Sequence, residues 1–198
     1  MWCMKKSISP VPLLCPGPVL IICTYGSDGR PDAMTAAWGG ICCSEPPCIS
    51  LGIQQTRYTW ENITKHGEFM VCIPSEALVE ETDFFGIASG RNLDKFQETG
   101  LTPVKSDIIE APYIEECPIA IACRARNLVP IGSHTLIVGE ILSILADEDA
   151  CGEDGIPDIS LVRPLLYDSQ KKTYYNIGEP AGRAFSSGMK FRRNVYEP

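Results

Sequence analysis

Residues 119–145 read IAIACRARNLVPIGSHTLIVGEILSIL, two long runs of alternating apolar positions on either side of a short break. Side chains on a strand point to opposite faces in turn, so a period of two predicts extended chain rather than helix. Ile119–Leu128 and His134–Leu145 therefore read as two long strands, joined by VPIGS, where Pro130 and Gly132 interrupt the pattern. A pair joined this closely is antiparallel, because a parallel pair needs a crossover of a dozen or more residues.

The same connection recurs upstream. Val19–Tyr25 is apolar and β-branched, and the following GSDGRPD is a glycine, aspartate and proline cluster that predicts a hairpin into a second strand around Ala33–Trp38. Cys48–Ile53 is a third strand, with Ile49, Leu51 and Ile53 on one face. RYTWENITKHG reads as a short helix capped by Thr59 and ended by Gly67, and EFMVCIP as a strand closed by Pro74. Ser75 opens a helix through about Phe85, GIASGRN is a glycine-rich turn, and LDKFQET is a short helix stopped by Gly100. Hairpin-connected strands with helices as excursions predict a mainly β protein, an antiparallel barrel rather than a doubly wound parallel sheet. Neither a repeat nor a linker divides the chain, so 1–198 reads as one domain, with 1–17 as a proline-rich lead-in and 146–198 as a C-terminal extension packing on the barrel.

The totals narrow the function. Seventeen basic side chains against 25 acidic ones leave a formal net charge of −8, which argues against nucleic acid or an anionic membrane as partner. Prolines 10, 12, 16 and 18 break the apolar character of the N-terminus, so a secretory leader is not expected, and no segment has the ~18 apolar residues of a membrane span. A cytoplasmic location is expected. The ten cysteines fit a reducing compartment: Cys23, Cys72 and Cys123 sit inside apolar runs and read as small core hydrophobes. No two cysteines are separated by two residues, and only His66 and His134 offer imidazole, so no metal site is expected. Cys42, Cys43 and Cys48, three thiols within seven residues, are expected to be buried wall material, with a cysteine-based redox or metal centre as the competing possibility.

Several stretches offer binding chemistry. In MTAAWGG (Met34–Gly40) small residues surround one hydroxyl and one indole, which suits close approach of backbone to a flat ligand or simple core packing. Ser44 opens SEPP, where two prolines shape either a rim or an ordinary loop. Arg57 and Thr59 stand where a helix begins, a phosphate cradle or a plain cap. Ser89, Gly90, Arg91 and Lys95 gather at another helix start, giving local anion donors in an acidic chain. His134 opens a strand and is either packed or chemically active. No catalytic triad order, nucleophile elbow, P-loop or Rossmann glycine fingerprint is present.

Taken together, DGRPDAMTAAWGG, SEPPCISLGI, RYTWENI, GEFMVCIP, SGRNLDKF, APYIEECPIAI and GSHTLIVGEI resemble, in order and spacing, the flavin reductase-like FMN-binding split-barrel family, flavoredoxins included. The resemblance runs from about Val19 to YYNIGEPAG. It implies a six-stranded antiparallel Greek-key split barrel and a homodimer with FMN near the subunit interface. It implies that Met34, Thr35, Ala36, Ala37 and Trp38 border the flavin ring, that Ser44 contacts the ribityl side or ring edge, and that Tyr174 and Tyr175 cover the site. Arg57 and Thr59 would reach the phosphate, with Ser89, Gly90 and Lys95 nearby, and His134 would face a nicotinamide or electron partner. Asp32 stands where relatives commonly carry asparagine, and it is left out of the binding set because a carboxylate cannot donate as an amide does. The implied activity is hydride transfer from NAD(P)H to FMN and onward to an acceptor. The alternative is a flavoredoxin-type FMN electron carrier reduced by a protein partner such as ferredoxin.

Overall fold

Sixteen strands and α-helices follow one another in the computed structural model, which describes residues 4–191. The strands are β1 (Gly17–Pro18), β2 (Leu20–Tyr25), β3 (Pro31–Ala36), β4 (Gly39–Ser44), β5 (Pro47–Gln54), β6 (Glu68–Ile73), β7 (Pro103–Lys105), β8 (Pro112–Ile114), β9 (Ile119–Ile131), β10 (His134–Ala146), β11 (Leu166–Asp168) and β12 (Thr173–Tyr175). The helices are α1 (Tyr58–His66), α2 (Val79–Ile87), α3 (Lys95–Thr99) and α4 (Ile159–Val162). Cys3, the first three residues of the predicted lead-in and residues 192–198 of the predicted extension lie outside the described residues.

The two long strands of the opening stretch pair as expected, with Gly132 and Ser133 alone between them, so both run further into VPIGS than their polarity suggests. They sit inside a seven-stranded antiparallel sheet of order β3-β2-β6-β9-β10-β5-β4. The hairpin predicted at GSDGRPD is present, with Gly29 at φ +77 and the Gly26 N–H donating to Arg30 O at 2.8 Å. One side chain from each of six strands, Ile22, Met34, Leu51, Phe69, Cys123 and Ile137, belongs to one buried cluster, so the sheet curls around its inner face. At the seam, a methyl group at Gly39 would stand 2.8 Å from Leu20 of β2 and 2.9 Å from Leu51 of β5, so strands far apart in the ladder meet through side chains. The hydrogen-bonded ladder itself stays open, with β3 and β4 as its edges. Seven paired strands thus stand where six were expected, in a mainly β chain with helices as excursions.

A second cluster covers the outer face: Ile21 and Cys23 of β2 and Met70 and Cys72 of β6 pack against Phe85 of α2 and Phe96 of α3. Burial on both faces explains why LIIC and FMVC read as unbroken apolar runs. Among the described residues no helix is long and apolar enough to cross a membrane.

Four local expectations change. The chain Gly39–Ser44 is a strand, missed because paired glycines and paired cysteines hide its alternation, and SEPP makes the tight turn into β5. The residue that caps α1 is Arg57 rather than Thr59, because the helix begins two residues earlier than expected, at Tyr58. The helix expected from Ser75 is a short 3-10 turn at Glu76–Leu78 followed by α2. Cys42 and Cys43 are exposed on the β4–β5 hairpin, whereas Cys48 is buried, so two of the three supposed wall cysteines face solvent.

This division has a chemical readout. Burial pushes the Cys123 thiol up to about 12 and holds Cys23 well above the ordinary thiol range. Iodoacetamide added to the native protein near pH 8 is expected to label Cys15, Cys42 and Cys43 and to spare Cys23, Cys72, Cys117 and Cys123 until denaturant is present. Peptide mass mapping checks this, and equal labelling of Cys23 and Cys42 in native protein would contradict the packing.

Candidate functional site

The site grows from β3. As an edge strand it pairs only with β2, so the N–H and C=O groups along its other side are not used by the main ladder. The chain from Asp32 to Trp38 then passes three cavities in succession. The first, about 210 Å³, takes Asp32 and Met34 together with Arg57, Thr59, Gly90 and Lys95, and Ser89 also lines it. The second, about 200 Å³, is walled by Thr35, Ala37, Asp83, Gly86, Tyr167 and Tyr174. The third, about 520 Å³ and mostly apolar, has Ala37 and Trp38 on one side and Leu13, Leu14, Leu136 and Tyr167 on the others. Ala36 points the other way, into the core.

The first cavity is built for an anion. Arg57 caps α1 with an extended backbone, φ −76 and ψ 142, and no side chain caps the helix, so its first N–H groups are open to a ligand. The Arg57 side chain reaches across to donate to Gly86 O at 3.3 Å. Other cations nearby are committed: Arg91 pairs with Glu61 at 2.7 Å, Arg30 with Asp28 at 3.2 Å, and Lys95 with Asp32 at 3.1 Å. Among the described residues Arg57 makes no ion pair, so it is the free positive charge of this cavity.

Beneath it lies a buried polar cluster. Asp32 and Lys95 are each 3% exposed, and Thr59 Oγ1 donates to Asp32 Oδ2 at 3.2 Å. Lys95 Nζ also donates to Ala33 O. Burial lowers the Lys95 ammonium from its ordinary range, and the facing Asp32 carboxylate opposes that fall. Asp32 Oδ1, although beside the ammonium, has no hydrogen-bond partner of good geometry, and any side chain at Gly90 would overlap it.

Along the other two cavities, Thr35 Oγ1 donates to Thr82 O, tying β3 to α2. Tyr174 donates to Asp83 at 3.1 Å, and burial together with that carboxylate raises its phenol above the ordinary range. Trp38, 45% exposed, stacks on His134 with ring centroids 4.5 Å apart and planes 25° from parallel.

Met34, Arg57, Thr59, Ser89, Gly90 and Lys95 are thus brought together, Thr35 and Ala37 border the adjoining space, and Trp38 meets His134. Ser44 is not: it stands exposed at the far end of β4, away from all three cavities. Of the two tail tyrosines, Tyr174 lines the second cavity, and Tyr175 lines none of these three. Sequence reasoning missed Asp83, whose only signal is its place on the face of α2 turned toward β3, and it set Asp32 aside although Asp32 forms the floor. Among the described residues no group of three or more His, Cys, Asp or Glu is arranged to hold a metal ion.

Residues 13–176 match the family described as flavin reductase like domain. The chain is 42% identical to the flavoredoxin of Desulfovibrio vulgaris (Miyazaki F), with a TM-score of 0.89 over 93% of this chain and 100% of that one. It is 27% identical to a flavoredoxin from Methanosarcina acetivorans, with a TM-score of 0.90 over 96% of this chain and 100% of that one. It is also 32% identical over 184 residues, 90% of each chain, to the uncharacterized protein YddH of Escherichia coli.

Proposed function

The chain belongs to the flavin reductase-like family, and from that premise we propose that it is an FMN-binding redox protein of the flavoredoxin type, a carrier whose flavin is reduced by a protein partner such as ferredoxin. The identity to a flavoredoxin over nearly the whole chain favours the carrier over an NAD(P)H-dependent reductase. The observation that carries FMN itself is the first cavity: one uncommitted guanidinium, open N–H groups at a helix start and the Ser89 hydroxyl suit a phosphate dianion. Beside it, the unladdered edge of β3 and the low walls at Ala37, Gly39 and Gly40 leave room for a flat ring.

Bound FMN would supply the one- and two-electron chemistry, and the protein supplies binding and orientation. Arg57 holds the anionic end. The Thr35–Thr82 bond fixes β3 against α2, so the backbone at 35–38 presents a rigid edge rather than a mobile one. Tyr174, anchored by Asp83, forms one wall of the second cavity. None of these roles needs a protein acid or base, in keeping with the missing triad.

A second reading, hydride transfer from NAD(P)H, rests on the half-exposed Trp38 ring stacked on His134 beside the third cavity, where an aromatic donor could lie. We place the homodimer implied by the family within the same proposal. Exposed apolar side chains at Leu128, Val129 and Ile131, on the free end of the β9–β10 hairpin, offer surface for it.

Anaerobic titration decides between the readings. The purified protein loaded with FMN is expected to bleach in the flavin absorbance band with reduced ferredoxin and to stay oxidised with NADH and NADPH. Rapid bleaching by either nucleotide would select the reductase. Failure to retain FMN at all would remove both.

A further inference from the structure

We propose that Asp32 sets the charge of the phosphate cavity by cancelling Lys95, so that the anion is held by Arg57 and the start of α1 and not by the lysine. The inference rests on the FMN reading above and concerns which charges that site presents.

The geometry is a closed one. Lys95 and Asp32 come from α3 and β3, and their side chains are 3% and 4% exposed, with the ammonium 3.1 Å from the carboxylate. The ammonium is held beside Asp32 Oδ1 by charge, and one of its three N–H groups is given to Ala33 O. The Thr59 hydroxyl, which could also have served a ligand, is turned down onto Asp32 Oδ2. Gly90 packs against the carboxylate so closely that a side chain there would overlap Oδ1. An arriving phosphate therefore meets a buried dipole of no net charge from this pair. Arg57 stands above it without a carboxylate of its own among the described residues.

Buried charges are weakly screened, so changing the pair's charge by one unit should move the affinity of a nearby dianion by roughly tenfold. Four proteins then form a charge cycle: wild type, Asp32→Asn, Lys95→Met and the double variant. By fluorescence titration, Asp32→Asn is expected to bind FMN about tenfold more tightly and Lys95→Met about tenfold more weakly. The double variant should return to within about threefold of wild type, its net charge being restored. Riboflavin, which lacks the phosphate, should bind all four proteins alike.

Two results overturn the proposal. A double variant as weak as Lys95→Met would make the lysine a direct phosphate ligand. Riboflavin affinities that follow those of FMN would make the pair a structural element with no say over charge. If Lys95→Met fails to fold, as circular dichroism would reveal, the near-isosteric Asp32→Asn still decides, since unchanged or weaker FMN binding refutes the claim. If the wild type binds neither flavin, the FMN reading fails by itself. Inorganic phosphate, followed by calorimetry, then serves as the probe for the same order of affinities.

Discussion

Phe69→Ala should lower the midpoint of thermal unfolding by roughly 6–20 °C, the largest stability loss expected of a single side chain here. Phe69 is fully buried near the start of β6 and belongs to the cluster inside the curled sheet. Its ring crosses the interior until the tip rests on β10, where a methyl group at Gly139 would stand 2.5 Å from Cζ and 3.3 Å from Cys123 Cβ. The glycine at 139, beside an irregularity in the β9–β10 register, leaves the space that the ring fills. Removing the ring opens a cavity walled by three strands held in one sheet, which cannot collapse into it. Such truncations cost about 3–5 kcal/mol, and in a chain of this size each kcal/mol moves the midpoint by roughly 2–4 °C. Calorimetry measures the shift, with Ile41→Ala as control: Ile41 is 70% exposed and should change stability by less than about 0.5 kcal/mol. A shift below about 3 °C for Phe69→Ala would mean that the ring is not a keystone of the inner cluster.

The same contact shows where sequence reasoning reaches and where it stops. Period-two patterning located β5, β9 and β10, unbroken apolar runs located β2 and β6, and the hairpin signal at GSDGRPD located β3. All three signals missed β4, whose GGICCS lies half exposed at the edge of the sheet and obeys no burial alternation. Gly139 was visible as a lone glycine in a strand, yet only the fold reveals the aromatic ring that requires it. Within the candidate site, the local signals at 34–38, 57–59 and 89–95 were legible because a helix start and a small-residue run are short-range features. The Asp32–Lys95 pair spans 63 positions, and Trp38 meets His134 across 96, so neither contact leaves a trace in spacing. Ser44 is close in sequence to the small-residue run, and the β4–β5 hairpin carries it to the end of β4, away from the three cavities of this chain.

Arg57→Ala should weaken FMN binding by roughly 10- to 150-fold, the largest functional effect expected in the site. Charge-assisted hydrogen bonds contribute about 1.5–3 kcal/mol, and nothing nearby can substitute. Arg91 and Arg30 are held by Glu61 and Asp28, and Lys95 faces Asp32, so each would have to leave a carboxylate to replace the lost guanidinium. The helix N–H groups remain, which keeps the loss short of complete. Because Arg57 is exposed, its attraction for a dianion is screened by salt, and the wild-type affinity should fall more steeply with ionic strength than that of the variant. Riboflavin affinity should be nearly the same in both proteins. Arg57→Lys should recover part of the FMN affinity, since an ammonium supplies the charge without the planar fork. Arg57 also donates to Gly86 O at 3.3 Å, linking the start of α1 to α2, so a general loosening must be separated from a lost phosphate contact. Loosening would weaken riboflavin and FMN together and lower the unfolding midpoint. Loss of the phosphate contact alone would weaken FMN and leave both other measurements in place. An unchanged FMN affinity would take Arg57, and with it the anion reading of the first cavity, out of the proposed site.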